Sequence, residues 1–280
     1  MTSLATLPDR YRLILCDVWG CVHDGIRVFP EARALLARWR RDGRIVLLLT
    51  NAPRPAAPVR AQLRVLGLDT DHYDAVISSG ETGLKALRAE GRSVVGFIGT
   101  EADRESFSER GLTLVDPAES DLVVCTGFSE GSRETDDYLR VLTAMRERGA
   151  RLLCFNPDRV VIRGSIVEPC AGAIADRYEA IGGAVDWFGK PYPRTYQRCL
   201  AEAAGIAGRV VDASEVIAIG DGLATDYLGA AQAGFDFIFV TGGIEGEKVA
   251  AHGAEQLLAN FADARGLALP PPLAVVARLA

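Results

Sequence analysis

The sequence has no run of about 18 apolar residues, the length that a membrane-spanning helix requires. Its first residues, 1–12, lack the basic start and apolar stretch that are typical of a secretory signal. We therefore expect a cytoplasmic protein that does not associate with membranes. C-x-x-C pairs are also absent, and no spacing to a histidine indicates a redox or nucleophilic role, so we expect reduced and buried thiols. The six cysteines are Cys16, Cys21, Cys125, Cys154, Cys170 and Cys199.

Positively charged residues do not outnumber negatively charged ones either. There are 31 Lys and Arg residues against 37 Asp and Glu residues, and the net charge is −6. General nucleic-acid binding requires a basic surface, so we expect no nucleic-acid partner. A small phosphorylated ligand is compatible with this balance, because it needs only a few local positive groups. Lysine is scarce in this sequence. Lys190 is a candidate for such a positive group, because it lies within a Gly-Lys-Pro sequence.

The 280 residues are enough for about two domains at roughly 150 residues each. Apolar segments alternate with amphipathic ones, which predicts an α/β fold with parallel sheets. Predicted strands cover residues 12–16, 44–49, 93–98, 122–125, 151–155, 216–219 and 235–240. Predicted helices cover residues 30–41, 82–90, 134–148, 172–181, 195–204 and 226–233. The tail after Pro270-Pro271-Pro272 predicts a short terminal helix.

Polar residues follow several of these strands or precede a helix. In open α/β sheets, ligands bind beyond the carboxyl ends of the strands. A common site at that edge is therefore predicted for these residues. In chain order they are Asp17, Thr50, Asn51, Lys190, Asp221 and Asp226.

These residue types are suited to phosphoryl transfer. Asp17 and Asp221 at neighbouring strand ends would repel each other unless a cation lay between them. Mg²⁺ prefers one or two carboxylates together with water and phosphate oxygens, and a carboxylate is also a competent nucleophile. Lys190 would place a positive charge on the phosphoryl oxygens, and the Thr50 hydroxyl could bind them too. Each residue also has an ordinary explanation, for example Asp226 as a helix cap.

Four motifs in order resemble those of the haloacid dehalogenase superfamily, in the NagD-like subclass IIA. They are LILCDVWGCVHDG at 13–25, LLLTNAPRP at 47–55, FGKPYPRTY at 188–196 and AIGDGLATD at 218–226. Further similarity lies in SSGET at 78–82, FNPD at 155–158 and AGAIA at 171–175. The resemblance extends over nearly the whole chain.

The resemblance implies a Rossmann-like core of residues 1–81 and 185–280 with an inserted α/β cap domain of residues 82–184. Such a cap closes over the substrate and supplies specificity, and Asn156 and Asp158 are candidate substrate contacts within it. Caps of this kind often pair, so a homodimer is expected.

The resemblance also implies residue roles at a magnesium site. Asp17 would be the nucleophile and a Mg²⁺ ligand, and the backbone carbonyl of Trp19 would be a second ligand. Asp221 would bind the metal, and Asp226 would bind it or order its waters.

The resemblance implies a phosphate site too. Thr50 and Asn51 would hold the phosphoryl group, and Lys190 would steady both Asp17 and the transferring phosphate. The implied activity is magnesium-dependent hydrolysis of a small phosphorylated metabolite, such as a sugar, polyol or nucleotide phosphate, through an aspartyl-phosphate.

One position departs from the family pattern. Phosphatases of this superfamily usually carry a second aspartate two residues after the nucleophile, as a general acid, and Trp19 stands there. Three explanations are open: His23 or Asp24 replaces the acid, the substrate has a good leaving group, or the protein is a weak enzyme or a module that binds a phosphorylated ligand. Metal-free dehalogenation is a further alternative, but it leaves Asp221 and Asp226 unexplained.

Overall fold

A computed structural model describes residue 4, residues 7–163 and residues 166–280 of the chain. The chain divides into two compact units. The first unit comprises Met1–Thr50, Arg60–Ile77 and Lys190–Ala280, and the second comprises Asn51–Val59 and Ser78–Gly189. No helix among the described residues is long and apolar enough to cross a membrane.

Strands and helices alternate along most of the chain. The strands are β1 (Leu13–Asp17), β2 (Ile45–Thr50), β3 (Ala75–Ser78), β4 (Val94–Ile98), β5 (Thr113–Val115), β6 (Leu122–Cys125), β7 (Arg151–Cys154), β8 (Val160–Arg163), β9 (Ile166–Pro169), β10 (Ala184–Trp187), β11 (Val216–Gly220), β12 (Asp236–Val240) and β13 (Ala274–Val276). The α-helices are α1 (Pro30–Arg41), α2 (Ala56–Val65), α3 (Ser79–Ala89), α4 (Glu101–Ser108), α5 (Leu139–Glu147), α6 (Ala171–Ala180), α7 (Pro193–Ala207), α8 (Leu228–Ala233), α9 (Gly246–His252) and α10 (Ala254–Asp263). A π-helix, Leu223–Tyr227, directly precedes α8.

The first unit is built on a six-stranded sheet with the order β13-β12-β11-β1-β2-β3. The central strand β1 pairs in parallel with both β2 and β11, and all five of its residues are buried. A strand that is covered on both faces has no polar alternation, which explains the continuous apolar sequence before Asp17. Burial of each leucine in β1 contributes about 1.5–3 kcal/mol of hydrophobic stabilisation.

The second unit contains a parallel five-stranded sheet with the order β10-β7-β6-β4-β5. Helices pack on the sheet through two apolar clusters, one around Tyr178 and Leu142 and the other around Phe107 and Phe155. A separate antiparallel pair, β8 and β9, completes the unit. Both large sheets are parallel and both alternate with helices, so the predicted α/β class is confirmed.

Each of the seven predicted strands is present, with ends that differ by one residue at most. Helix ends differ more. The helix predicted over 82–90 begins at Ser79, because the Ser78 hydroxyl accepts a hydrogen bond from the backbone N–H of Glu81 and caps the helix three residues earlier. The helix predicted over 134–148 divides into a 3₁₀ turn and α5.

The predicted terminal helix is wrong. Residues Ala274–Val276 form β13, which pairs in parallel with β12 at the edge of the six-stranded sheet. Adjacent β-branched residues, Val275 and Val276, favour a strand, and the edge of β12 offers unpaired backbone groups that a short helix would leave unused. Tertiary pairing therefore decides the structure of this segment.

The second unit includes residues 51–59, 78–81 and 185–189, which lie outside the predicted cap of 82–184. The structural reason is local hydrogen bonding. The backbone N–H of Gly80 donates to the carbonyl of Ala52, and the backbone N–H of Ala56 donates to the carboxylate of Glu81. The role of this unit as a substrate cap stays a prediction.

Candidate active site

Strand register brings the predicted acidic residues of the first unit to one edge of its sheet. Asp17 is the last residue of β1 and pairs with Leu49 of β2, so Thr50 lies one residue further on. Cys16 pairs with Ile219 of β11, so Asp221 lies one residue beyond the position opposite Asp17. The carboxyl ends of three adjacent strands thus carry Asp17, Thr50 and Asp221.

Lys190 joins two of the carboxylates. Its Nζ donates a hydrogen bond to Oδ1 of Asp17 and another, 2.7 Å long, to Oδ1 of Asp226. All three residues are buried, with relative exposures of 3% for Lys190 and 6% for each aspartate. Buried charges are stable only when they are paired and hydrogen-bonded, and this bridge provides both conditions.

The same burial sets the proton affinities. Burial raises the pKa of Asp17 well above its ordinary value, and this effect outweighs the opposing charge of Lys190. Burial alone would lower the pKa of Lys190, but the carboxylates of Asp17 and Asp226 raise it well above its ordinary value. Burial also raises the pKa of Asp221 to about 7, with the charge of Asp226 acting in the same direction. Negative charge is therefore in excess at this edge.

Asp17 and Asp221 belong to a set of ligand atoms that fits a metal ion. A carboxylate oxygen of each, together with Sγ of Cys21, lie within 4.8 Å of one another, and all three residues are buried. Neighbouring negative charge adds to burial in raising the two aspartate pKa values, and a divalent cation at this point would relieve that repulsion. The two oxygen donors suit Mg²⁺, which needs only one or two protein carboxylates.

Backbone groups hold the Asp221 side chain in place. Its Oδ2 accepts a 2.7 Å hydrogen bond from the backbone N–H of Ile244, in the loop after β12. Gly20 has a φ of +81°, and a Cβ at that position would lie 2.1 Å from the same oxygen. Glycine at position 20 therefore allows the loop after β1 to approach Asp221 closely.

Asp226 lies in the π-helix, and its carboxylate accepts hydrogen bonds from other groups than that of Asp221 does. Its Oδ2 accepts hydrogen bonds from the backbone N–H of Gly222 and from the hydroxyl of Thr225, each 3.2 Å long. Its Oδ1 accepts from Lys190. A π-turn widens the helix locally and is frequent at functional sites, and here it directs Asp226 toward Lys190.

The loop after β1 is ordered around Trp19. The Trp19 and His23 rings meet edge to face, with centroids 5.2 Å apart. Gly25 has a φ of +88°, and a Cβ there would lie 2.5 Å from the Trp19 ring, so the loop closes tightly over the indole. Nδ1 of His23 accepts a 2.9 Å hydrogen bond from the backbone N–H of Gly25, which places the proton of the neutral ring on Nε2.

The two candidate proton donors of this loop are engaged elsewhere. Burial lowers the pKa of His23 to about 4, so the ring is neutral at physiological pH. Oδ1 of Asp24 accepts hydrogen bonds from the backbone N–H groups of Ile26 and Arg27, which lower the pKa of Asp24. A neutral imidazole and an ionised carboxylate are both poor acids, which weighs against the two residues as replacements for the missing aspartate.

The remaining predicted residues lie in the second unit. Nδ2 of Asn51 donates a 2.8 Å hydrogen bond to Oδ1 of Asp158. Oδ1 of Asn156 accepts from the backbone N–H of Asp158, and Asn156 is buried. The predicted phosphate-binding residue Asn51 and the predicted substrate contacts Asn156 and Asp158 therefore form one cluster.

Two contributors to the site were missed by the sequence analysis. Cys21 was assigned only as a buried thiol, although its spacing of four residues from Asp17 is visible in the sequence. Ile244 acts through its backbone N–H, so its side-chain type carries no signal. The Gly242-Gly243 pair begins two residues after the end of β12, and it is a local indication that the chain approaches another group there.

The low pKa of His23 predicts a pH-dependent contribution to stability. Because the folded-state pKa, about 4, lies below the unfolded value of about 6.5, this contribution is present above pH 6.5 and is lost as the pH falls toward 4. His23→Asn keeps an oxygen where Nδ1 lies but does not titrate. Between pH 7 and pH 5, we expect the wild type to lose about 2 kcal/mol more unfolding free energy than the variant.

Urea unfolding at the two pH values measures this difference. His252→Asn is the matched control, because His252 is exposed and should leave the pH dependence unchanged. Equal losses of stability in the wild type and His23→Asn would rule out a neutral buried ring.

Comparisons with known proteins point to one family. Models described as haloacid dehalogenase-like hydrolase match residues 14–113 and 86–234, the second of which covers more than half of the chain. A crystal structure of a haloacid dehalogenase-like hydrolase from Brucella suis 1330 is 35% identical, with a TM-score of 0.84 and 99% coverage of both chains.

Two curated relatives are more distant. Ribonucleotide monophosphatase NagD of Escherichia coli (strain K12) is 27% identical and covers 82% of this chain and 88% of its own. An acid sugar phosphatase of Staphylococcus aureus (strain USA300) is 26% identical and covers 84% of this chain and 88% of its own.

Proposed function

The chain belongs to the haloacid dehalogenase-like hydrolase family, and on that premise we propose that it is a magnesium-dependent phosphatase of a small phosphorylated metabolite. The observation that carries the proposal is the buried bridge from Lys190 to Asp17, beside the carboxylate of Asp221. The names of the relatives, a nucleotide phosphatase and a sugar phosphatase, support a nucleotide or sugar phosphate as substrate, and a polyol phosphate is a third class that we propose. They also weigh against a module that only binds its ligand.

Asp17 is the nucleophile in this proposal. A carboxylate oxygen of Asp17 attacks phosphorus, the bond from phosphorus to the leaving-group oxygen breaks, and an aspartyl-phosphate forms. Water then attacks the same phosphorus atom, which releases phosphate and restores the carboxylate. Lys190 holds the attacking carboxylate in place and offers positive charge to the phosphoryl oxygens.

Asp17, Asp221 and the backbone carbonyl of Trp19 would hold Mg²⁺, and Asp226 would bind it or order its waters. The close approach of the Asp17 and Asp221 carboxylates and the elevated pKa of Asp221 support this donor set. When bound, Mg²⁺ supplies positive charge that neutralises phosphate oxygens. Asp226 also positions Lys190, because it accepts one of the Nζ hydrogen bonds.

Thr50 and Asn51 are proposed to bind the phosphoryl group. Thr50 is buried and ends the strand next to Asp17. Asn51 contacts Asp158, so Asn51, Asn156 and Asp158 are proposed to act together on the substrate side. A cytoplasmic location and a homodimer stay predictions.

Trp19 limits the leaving group. Indole transfers no proton at neutral pH, and both His23 and Asp24 are committed to hydrogen bonds within their own loop. Aryl and acyl phosphates, whose leaving groups depart without protonation, are therefore expected to turn over faster than the proposed sugar, polyol and nucleotide substrates, which are alkyl phosphates.

Trp19→Asp should restore an acid at this position. We expect turnover of alkyl phosphates to rise about tenfold, a fraction of the full value of general acid catalysis, with turnover of an aryl phosphate nearly unchanged. Steady-state kinetics on a matched pair of alkyl and aryl phosphates measures the two rates. Trp19→Phe is the control, because it makes the side chain smaller without adding an acid. An equal gain in turnover in that variant would mean that the smaller side chain, and not the new carboxyl group, causes the effect.

The pH–rate profile tests the remaining donors. If His23 or Asp24 supplies the proton, His23→Ala or Asp24→Ala loses the limb of the profile that belongs to that residue. Two unchanged profiles would exclude both residues.

Phosphate release from a panel of sugar, polyol, nucleotide, aryl and acyl phosphates, with Mg²⁺ and with EDTA, tests the proposed function. We expect release that requires the metal and is fastest for the better leaving groups. If the protein is folded and binds Mg²⁺ but releases phosphate from no compound of the panel, the proposed function is contradicted.

A further inference from the structure

A thiol lies beside the two carboxylates proposed to hold magnesium. Cys21 follows β1 in the loop that also carries Trp19, and its side chain is only 1% exposed. Its Sγ and one oxygen from each of Asp17 and Asp221 lie within 4.8 Å of one another. Among the residues that the structure describes, these three form the one such group of His, Cys, Asp and Glu ligands.

The Cys21 thiol is not engaged in a hydrogen bond with any residue in the described part of the chain, although it is fully enclosed. Cys16, in contrast, donates from Sγ to the backbone carbonyl of Asp17 at 3.2 Å. An enclosed thiol that makes no such hydrogen bond is free to bond a metal ion at the edge of this acidic cluster.

The donor set differs from that of a pure magnesium site. Mg²⁺ binds oxygen and leaves a thiol protonated, whereas thiolate ligands select softer ions such as Zn²⁺. Bonds of roughly 2.0–2.3 Å to oxygen and sulfur separate tetrahedral ligand atoms by about 3.5 Å. The three ligand atoms lie within 4.8 Å of one another, a limit that includes this separation.

We propose that Cys21, with Asp17 and Asp221, forms a high-affinity site for thiophilic divalent cations such as Zn²⁺ and Cd²⁺ that overlaps the magnesium site. The inference rests on the proposed function, because two of its ligands are the proposed magnesium ligands. On binding, the S–H bond of Cys21 breaks, its proton leaves to solvent, and a sulfur–metal bond forms without any change of oxidation state. Occupancy by such an ion displaces Mg²⁺ and occupies the nucleophile, so these cations inhibit the enzyme.

The test uses the 280-residue chain, stripped of metal, and Cd²⁺ alone as the probe. A thiolate bound to Cd²⁺ gives an ultraviolet charge-transfer band, which oxygen ligands do not give. Calorimetry measures the affinities for Cd²⁺ and, separately, for Mg²⁺. The variants are Cys21→Ser, Cys21→Ala and Asp221→Asn, and the matched control is Cys16→Ser, since Cys16 is equally buried but lies outside the set.

We expect one Cd²⁺ per chain, with the charge-transfer band, in the wild type and in Cys16→Ser. Both Cys21 variants should lose the band and bind Cd²⁺ at least about tenfold more weakly, while their Mg²⁺ affinity stays within about twofold. Asp221→Asn should weaken both metals. Retained Mg²⁺ binding in the Cys21 variants also shows that they are folded.

Three outcomes would overturn the inference. Cd²⁺ binding to the wild type without the band would mean an oxygen-only site, and the proposed magnesium site would survive. A band that persists in the Cys21 variants would assign the thiolate to another cysteine. Failure of the wild type to bind either metal would remove the magnesium site itself, and the inference with it.

Discussion

Asp17→Asn is expected to lower phosphatase turnover by at least roughly 10³-fold, because the amide cannot form the aspartyl-phosphate. The fold should persist, since the change removes one negative charge from a buried cluster in which negative charge is in excess. Turnover of an aryl phosphate and thermal unfolding, measured on the same samples, check both expectations.

Asp236→Asn is the matched control for that variant. Asp236 begins β12, at the opposite end of the same sheet, and its carboxylate contacts Tyr11 and Arg10. Its replacement should leave turnover within about twofold of the wild type, as for most surface changes away from a site. Substantial turnover by Asp17→Asn, free of contaminating phosphatase, would contradict the assignment of the nucleophile.

Lys190→Met is expected to affect both stability and activity. It leaves the buried carboxylates of Asp17 and Asp226 without their shared cation, and the loss of one partner from a buried ion pair costs about 3–5 kcal/mol. Turnover should fall roughly 10²–10³-fold, the usual result of removing a charged or hydrogen-bonding group that stabilises a transition state.

Two variants separate these effects. Lys190→Arg keeps the charge, so stability should recover in part, but the broad guanidinium does not replace a compact ammonium group and turnover should stay low. Lys248→Met removes an exposed lysine that pairs with Glu245, and neither property should change by much. A stable and active Lys190→Met protein would mean that the bridge has no role in the site.

The sequence was sufficient to predict the α/β class and the strand ends that carry Asp17, Thr50 and Asp221. The reason is physical: a strand buried on both faces must be continuously apolar, and the first polar residue after it marks the sheet edge. The family resemblance implied that Lys190 steadies Asp17, but the contact of Lys190 with Asp226 was not predictable. That contact depends on the π-turn at Leu223–Tyr227, for which the sequence gives no periodic signal.

Tertiary contacts explain the other differences. The tail forms β13 because the edge of β12 is available, and no local pattern contains that information. Cys21 and the backbone N–H of Ile244 come close to Asp221 only after the loops that follow β1 and β12 have folded. Burial, rather than residue type, also makes His23 a neutral ring at physiological pH.

The stereochemical course at phosphorus tests the central claim, a covalent aspartyl-phosphate, most directly. A substrate made chiral at phosphorus with three oxygen isotopes is transferred to an acceptor alcohol by the wild-type enzyme, and the configuration of the product is determined. Each in-line displacement inverts phosphorus, so two successive displacements, first by Asp17 and then by the acceptor, predict overall retention. Overall inversion would mean a single direct displacement and would contradict an intermediate on Asp17.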